Sequence, residues 1–300
     1  MARKKSSDGF LFKSGVFALL AGLAFWLFNM FGGEKATETT ETTEESKPAK
    51  TASVQLPCQV PKEILPLSTT NEIVCHTWYC LSYDEDHEQA EWVAYELTRE
   101  HLNENWAKRP NTFRPDPDVR TESATPRDYT SSGFDKGHLC PAADMAFDEV
   151  AIDETFFMSN ISPQVRAFNG GVWRELEELT RDWARKFKRL YVVTGPVLTD
   201  REYETIGFCK VSVPDAFYKV LYAPEQMKAI AFILPNMVSD SPIMDYACSI
   251  DKVEKLTGLD FFPEILNGLN EELEGSLDKY AWPINNKRQE TRIKVWNVRR

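Results

Sequence analysis

Apolar positions recur at every second residue in two neighbouring stretches of this chain. Thr77 to Tyr83 and Trp92 to Leu97 flank the acidic break Asp84-Glu85-Asp86. In the second stretch Val93, Tyr95 and Leu97 alternate with Trp92, Ala94 and Glu96. That period predicts a hairpin of strands. A helix competes over Glu88 to Glu100, which is rich in Ala, Glu and Leu. Leu190 to Val197, Lys210 to Val213, Phe217 to Tyr222 and Ala229 to Leu234 read as further strands. The spacing of Val172, Leu176, Leu179, Trp183 and Phe187 predicts a helix over Asn169 to Lys186, and Ser249 to Leu256 a shorter one. Strands in hairpins with helices interspersed point to an α+β fold, a central and mainly antiparallel sheet flanked by helices. The chain shows no internal repeat.

The N-terminus follows a different pattern. Arg3, Lys4, Lys5 and Lys13 precede an apolar run from Gly15 to Phe31, so residues 1–33 read as an N-terminal apolar helix serving as signal anchor or signal peptide. The run is close to the ~17-residue lower limit for a membrane span. Bulky Phe25, Trp26 and Phe28, with no small-x-small site after them, favour an uncleaved anchor over a cleaved signal. The basic end would stay in the cytoplasm and the remainder would be exported. Residues 34–52, rich in Thr, Glu and Lys, cannot offset their ordering entropy by burial and read as a flexible tether. Residues 53–300 fit one domain. Export makes disulfides feasible among the six cysteines, which allow fifteen complete pairings. Cys209 with Cys248 is the expected pair, and Cys140 is expected to be a buried free thiol.

Three short motifs carry chemistry. They are Gly133-Phe134-Asp135-Lys136-Gly137-His138-Leu139-Cys140-Pro141, then Ser159-Asn160-Ile161-Ser162-Pro163-Gln164, then Asn169-Gly170-Gly171-Val172-Trp173-Arg174-Glu175-Leu176-Glu177. They set a histidine, an amide and a carboxylate in the order that metal-assisted phosphodiester cleavage requires. Of the four histidines only His138 lies in such a setting. A neutral imidazole can take a proton near pH 7. Over most of residues 75 to 265 the chain resembles the DNA/RNA non-specific endonuclease family, with its Asp-Arg-Gly-His signature and ββα-metal (His-Me finger) site.

The resemblance implies a role for each matching residue. His138 is the general base that activates water. Asn169 is the metal ligand, on a site for Mg²⁺ with Mn²⁺ or another divalent cation in its place; a hard ion that keeps its waters needs few protein oxygens. Asn169 is equally placed to be a helix N-cap. Glu177 is eight residues on, roughly 12 Å of rise along a continuous helix, so it is expected to act through water rather than as a second ligand. Glu175 and Glu178 read as a solvated helix face. Asn160 and Gln164 are expected to fix the site and contact the substrate backbone, with Arg166 as a further contact. Arg109 matches the arginine that binds phosphate, and Arg114 is its rival. Lys136 stands where the family has arginine. It keeps the charge and loses the bidentate fork. Asp135 is expected to orient its turn.

Charge weighs against a tight nucleic-acid binder. The chain carries −11; the first 33 residues contribute +3 and residues 34–50 contribute −2, leaving −12 for the rest. An enzyme needs only a local cationic groove, and Arg109, Arg114, Lys136, Arg166 and Arg174 all fall in the motif region. The tail from Lys287 to Arg300 adds six cationic side chains against one Glu. No Cys-x-x-Cys pair, P-loop or Gly-x-Ser-x-Gly elbow occurs, and no organic cofactor is expected. The reading is a membrane-tethered or secreted divalent-metal endonuclease acting on DNA and RNA, leaving 5′-phosphates. Its expected partners are the nucleic acid, the membrane and, as in some relatives, a second copy of the chain. A non-catalytic module on the same fold and a phosphodiesterase for small diesters are the rivals.

Overall fold

The computed structural model describes residues 58–67, 72–104, 106–266 and 271–298. The anchor and tether read from residues 1–52 lie outside them. Among the described residues no helix is long and apolar enough to cross a membrane.

Seven strands form the central sheet: β1 (Ile73–Cys75), β2 (Cys80–Asp84), β3 (Gln89–Thr98), β6 (Arg189–Pro196), β9 (Ala216–Ala223), β10 (Lys228–Pro235) and β11 (Ala247–Cys248). They lie side by side in that order and every neighbouring pair is antiparallel. Two small ribbons stand apart, β4 (Asp135–His138) with β5 (Ile161–Gln164), and β7 (Thr205–Ile206) with β8 (Val211–Ser212). Strand wins over helix from Gln89 to Thr98. Only after Thr98, whose hydroxyl accepts from His101 N, does the chain turn into α1 (Arg99–Asn103).

The alternation in β3 divides two cores. Val93, Tyr95 and Leu97 share one with Val192, Leu221 and Phe232, covered by α3 (Arg174–Phe187) through Leu176, Leu179, Trp183 and Phe187. Trp92 and Ala94 share the other with Val193, Val220 and Ala231, covered by Ile250 and Val253 of α4 (Ile250–Thr257) and by Phe261 and Phe262. Burial on both faces explains why the central strands read as nearly continuous apolar runs. A further helix, α2 (Glu149–Glu154), sits in the long connection between β4 and β5 and is capped by the Asp148 carboxylate.

Three expectations change. The helix expected from Asn169 begins at Arg174. Phe168–Trp173 form a widened turn broken at Gly171, whose φ of −115° and ψ of −109° are not helical. Gly170-Gly171 supplies the backbone freedom for that break. The disulfide joins Cys75 to Cys80, register partners on β1 and β2, whereas Cys209 and Cys248 are free thiols. Those two lie in different clusters, Cys209 with Tyr129 and Ile161 and Cys248 with Ile250. Cys58 Sγ lies 3.5 Å from Cys80 Sγ, and Cys140 is a buried free thiol as expected. Glu175 is not on a solvated face. It is buried and paired with fully buried Arg292 at 2.5 Å. Glu178 is half-exposed and meets Arg174 and Arg288.

Candidate active site

The site is built where the β4–β5 ribbon meets the widened turn and the start of α3. Register pairs Asp135 with Gln164 and His138 with Ile161, which places His138 at the inner end of β4. The backbone behind it is tied to Asn160: Leu139 N donates to Asn160 O at 3.0 Å, and Cys140 N to Asn160 Oδ1 at 2.8 Å. Asn160 Nδ2 donates to the carbonyls of Cys140 and Thr155. Asn160 is fully buried and all of its amide is engaged, so it braces His138 from behind and offers nothing to a substrate. That corrects half of its expected role.

A cleft of about 320 Å³ opens in front of His138, lined by Arg109, Lys136, His138, Pro141, Ala142, Ala143, Asn169, Arg174, Glu177, Glu178 and Arg181. The imidazole is held between Phe113 and Phe156 at centroid distances of 5.5 and 5.0 Å. Its Nε2 is buried without a hydrogen-bond partner among the described residues. Burial, with the Arg109 charge adding to it, pushes the pKa down to about 3, well below the ordinary value. The ring is therefore neutral at pH 7 with an unpaired nitrogen, and it stays weakly basic until negative charge enters the cleft. Glu177 is half-buried, and burial pushes its carboxyl up to about 7 against the pull of Arg181 and Lys219.

Asn169 faces the same cleft. Its Nδ2 donates to Asp135 Oδ2 at 3.2 Å, which leaves the amide oxygen for the cleft. Asp135 thus orients Asn169 as well as its own turn, while its other oxygen accepts from Arg166 Nε at 3.2 Å. The break at Gly171 removes the continuous helix assumed between Asn169 and Glu177, and both line one cleft. An amide oxygen, with a carboxylate on the same cleft to hold the ion's water, suits a hard divalent cation.

The cations divide by what they touch. Arg174 is paired with Glu178, and Arg181 with Asp144 at 2.8 Å. Arg109 and Lys136 make no ion pair among the described residues. They rest against the rings of Phe156 and of Phe113 and Tyr129, and so remain available to an anion. Arg114 does not line the cleft. It pairs with Asp153 at 2.5 Å over the Phe157 ring, whereas its rival Arg109 lines the cleft. Arg166 is exposed outside the cleft, and Gln164 is fully buried against Gly137, so neither meets the expectation of lining the substrate site. Asp144, Arg181 and Lys219 were not anticipated. The one usable signal for Arg181 was its position four residues after Glu177, on the same helix face.

Residues 58–267 match the model of the DNA/RNA non-specific endonuclease family. Human mitochondrial endonuclease G is 36% identical over 203 residues, 63% of this chain and 68% of that protein. Nuclease C1 of Cunninghamella echinulata var. echinulata is 36% identical over 205 residues, covering 62% of this chain and 81% of its own. The solved structure of EndoG in complex with EndoGI aligns with a TM-score of 0.63 at 33% identity, over 69% of this chain and 91% of that one. With its ribbon, broken turn and helix arranged around His138, the chain belongs to the DNA/RNA non-specific endonuclease family.

Proposed function

We propose that this metal-dependent nuclease cuts phosphodiester bonds in DNA and RNA with His138 as general base, Asn169 as metal ligand, and Arg109 and Lys136 as the phosphate clamp. The observation that carries the reading is the unpaired, buried Nε2 of a neutral His138 in the cleft that Asn169 and Glu177 also line. A phosphate entering the cleft adds negative charge beside the ring, which favours the protonated imidazole as the proton is transferred. Arg109 and Lys136 balance the charge on the phosphoryl oxygens. Lys136 does so as a point charge in place of the family's arginine fork. Glu177 orients water at the far wall. A bound Mg²⁺, or Mn²⁺ in its place, would be held by the Asn169 oxygen and would supply Lewis-acid stabilisation of the leaving oxygen. The basic and apolar pattern of residues 1–33 supports a membrane tether, which fractionation of cells expressing the full chain would check.

The test is cleavage of plasmid, RNA and a small diester, with and without chelator. Plasmid and RNA are cut and chelator abolishes it. His138→Ala keeps its fold by circular dichroism and loses at least about 10³-fold in turnover. Turnover near wild type in that variant would remove the base assigned here, and cleavage of the small diester alone would favour the narrower phosphodiesterase.

A further inference from the structure

Lys219 is the one charged residue in β9, otherwise Ala216-Phe217-Tyr218 and Val220-Leu221-Tyr222-Ala223. It pairs with Thr194 of β6 and Phe232 of β10, so it stands mid-sheet with strands on both sides. Strand alternation puts it on the face of Phe217 and Leu221, the face that α3 covers. The side chain has no exposure, and its Nζ has no hydrogen-bond partner among the described residues. That nitrogen lies 4.9 Å from the centroid of the Trp173 ring. Trp173 precedes Glu177 by four residues in helical conformation, so the two side chains stack on one face. An ammonium over the first is thereby brought alongside the second. Among the charged groups around Lys219, Glu177 acts on it most strongly and Asp144 next, with Arg181 opposing them. Burial pushes its own pKa down, and the two carboxylates oppose that.

An ammonium without a partner in a core strand costs far more than an apolar side chain of equal length. Packing therefore does not account for a lysine here, and the site above it does. We propose that Lys219 is a positioning residue for the nuclease reaction, a buried cation under the cleft that keeps Glu177 ionised and turned toward the water it orients. The inference rests on the role given to Glu177 above.

The test is a double-mutant cycle in the full chain, read by turnover on a DNA oligonucleotide with Mg²⁺ and by thermal unfolding. Lys219→Met should leave Tm unchanged or raised, since the ammonium it removes makes no hydrogen bond among the described residues and Arg181 still acts on Glu177. It should lower kcat about 10- to 100-fold with KM within about threefold. In a Glu177→Gln background it should add less than about threefold, because the group it acts through is already gone. A merely structural lysine would instead lower Tm and multiply with Glu177→Gln. Full kcat in Lys219→Met beside a crippled Glu177→Gln overturns this inference and leaves the nuclease reading standing, as does full multiplication of the two losses or a fall in Tm. Wild-type turnover in Glu177→Gln overturns the role of that carboxylate and the inference with it.

Discussion

Gly137, one residue before the proposed base, stands where no larger side chain fits. A Cβ there would lie 2.1 Å from Gln164 Cδ, so the glycine is set by the close approach of β5 rather than by a turn. Gln164 is itself fully buried. The two residues thus read as a packing pair that fixes the spacing of β4 and β5, and with it the height of His138 in the cleft. Gly137→Ala is expected to destabilise by about 1–3 kcal/mol, the usual cost of overpacking, and to reduce turnover as His138 shifts. Adding Gln164→Ala should recover part of both losses. Urea unfolding with parallel nuclease assays would check it, and an unchanged midpoint would contradict the packing account.

At the scale of elements, α3 does two jobs with adjoining faces. Leu176, Leu179, Trp183 and Phe187 fasten it to the sheet, while Glu177 and Arg181 line the cleft. Its start is also held from the C-terminal segment, where buried Arg292 pairs with Glu175 and donates to the carbonyls of Ser239 and Ser241. The apolar spacing of the helix was legible because a stripe facing a core repeats at the helical period. The buried pair was not, because Glu175 looks like any exposed acid until residue 292 folds onto it. Arg292→Ala should cost roughly 3–5 kcal/mol by leaving Glu175 buried and uncompensated, whereas Glu175→Leu with Arg292→Met should regain most of it. Denaturant midpoints of the three proteins decide the matter. Equal stability of Arg292→Ala and wild type would show that the pair bears no load.

Across the whole molecule, an acidic chain carries a locally cationic cleft. Arg109, Lys136, Arg174 and Arg181 line it against Glu177 and Glu178, although the net charge is −11. The general acidity argues against broad non-specific affinity, so binding depends on few phosphate contacts. For about two net contacts, kcat/KM should fall roughly tenfold between about 50 and 200 mM salt. A profile flat over that range would mean the cleft cations do not meet phosphate.

By itself the sequence determined the strand and helix periods, the antiparallel α+β class and the residues of the three motifs. Alternation and helical spacing are local consequences of which face is buried, and a motif brings its side chains in a fixed chain order. Only the tertiary structure decided which of those residues reach the cleft. Asn160 and Gln164 turned inward, Arg114 was taken by Asp153, and Arg109 and Lys136 were left without a counter-ion among the described residues. Partners such as Asp153, Arg292 and Lys219 approach from distant parts of the chain, and no local period encodes who meets whom. The basicity of His138 was decided in the same way, because burial between two aromatic rings is a property of the assembled core.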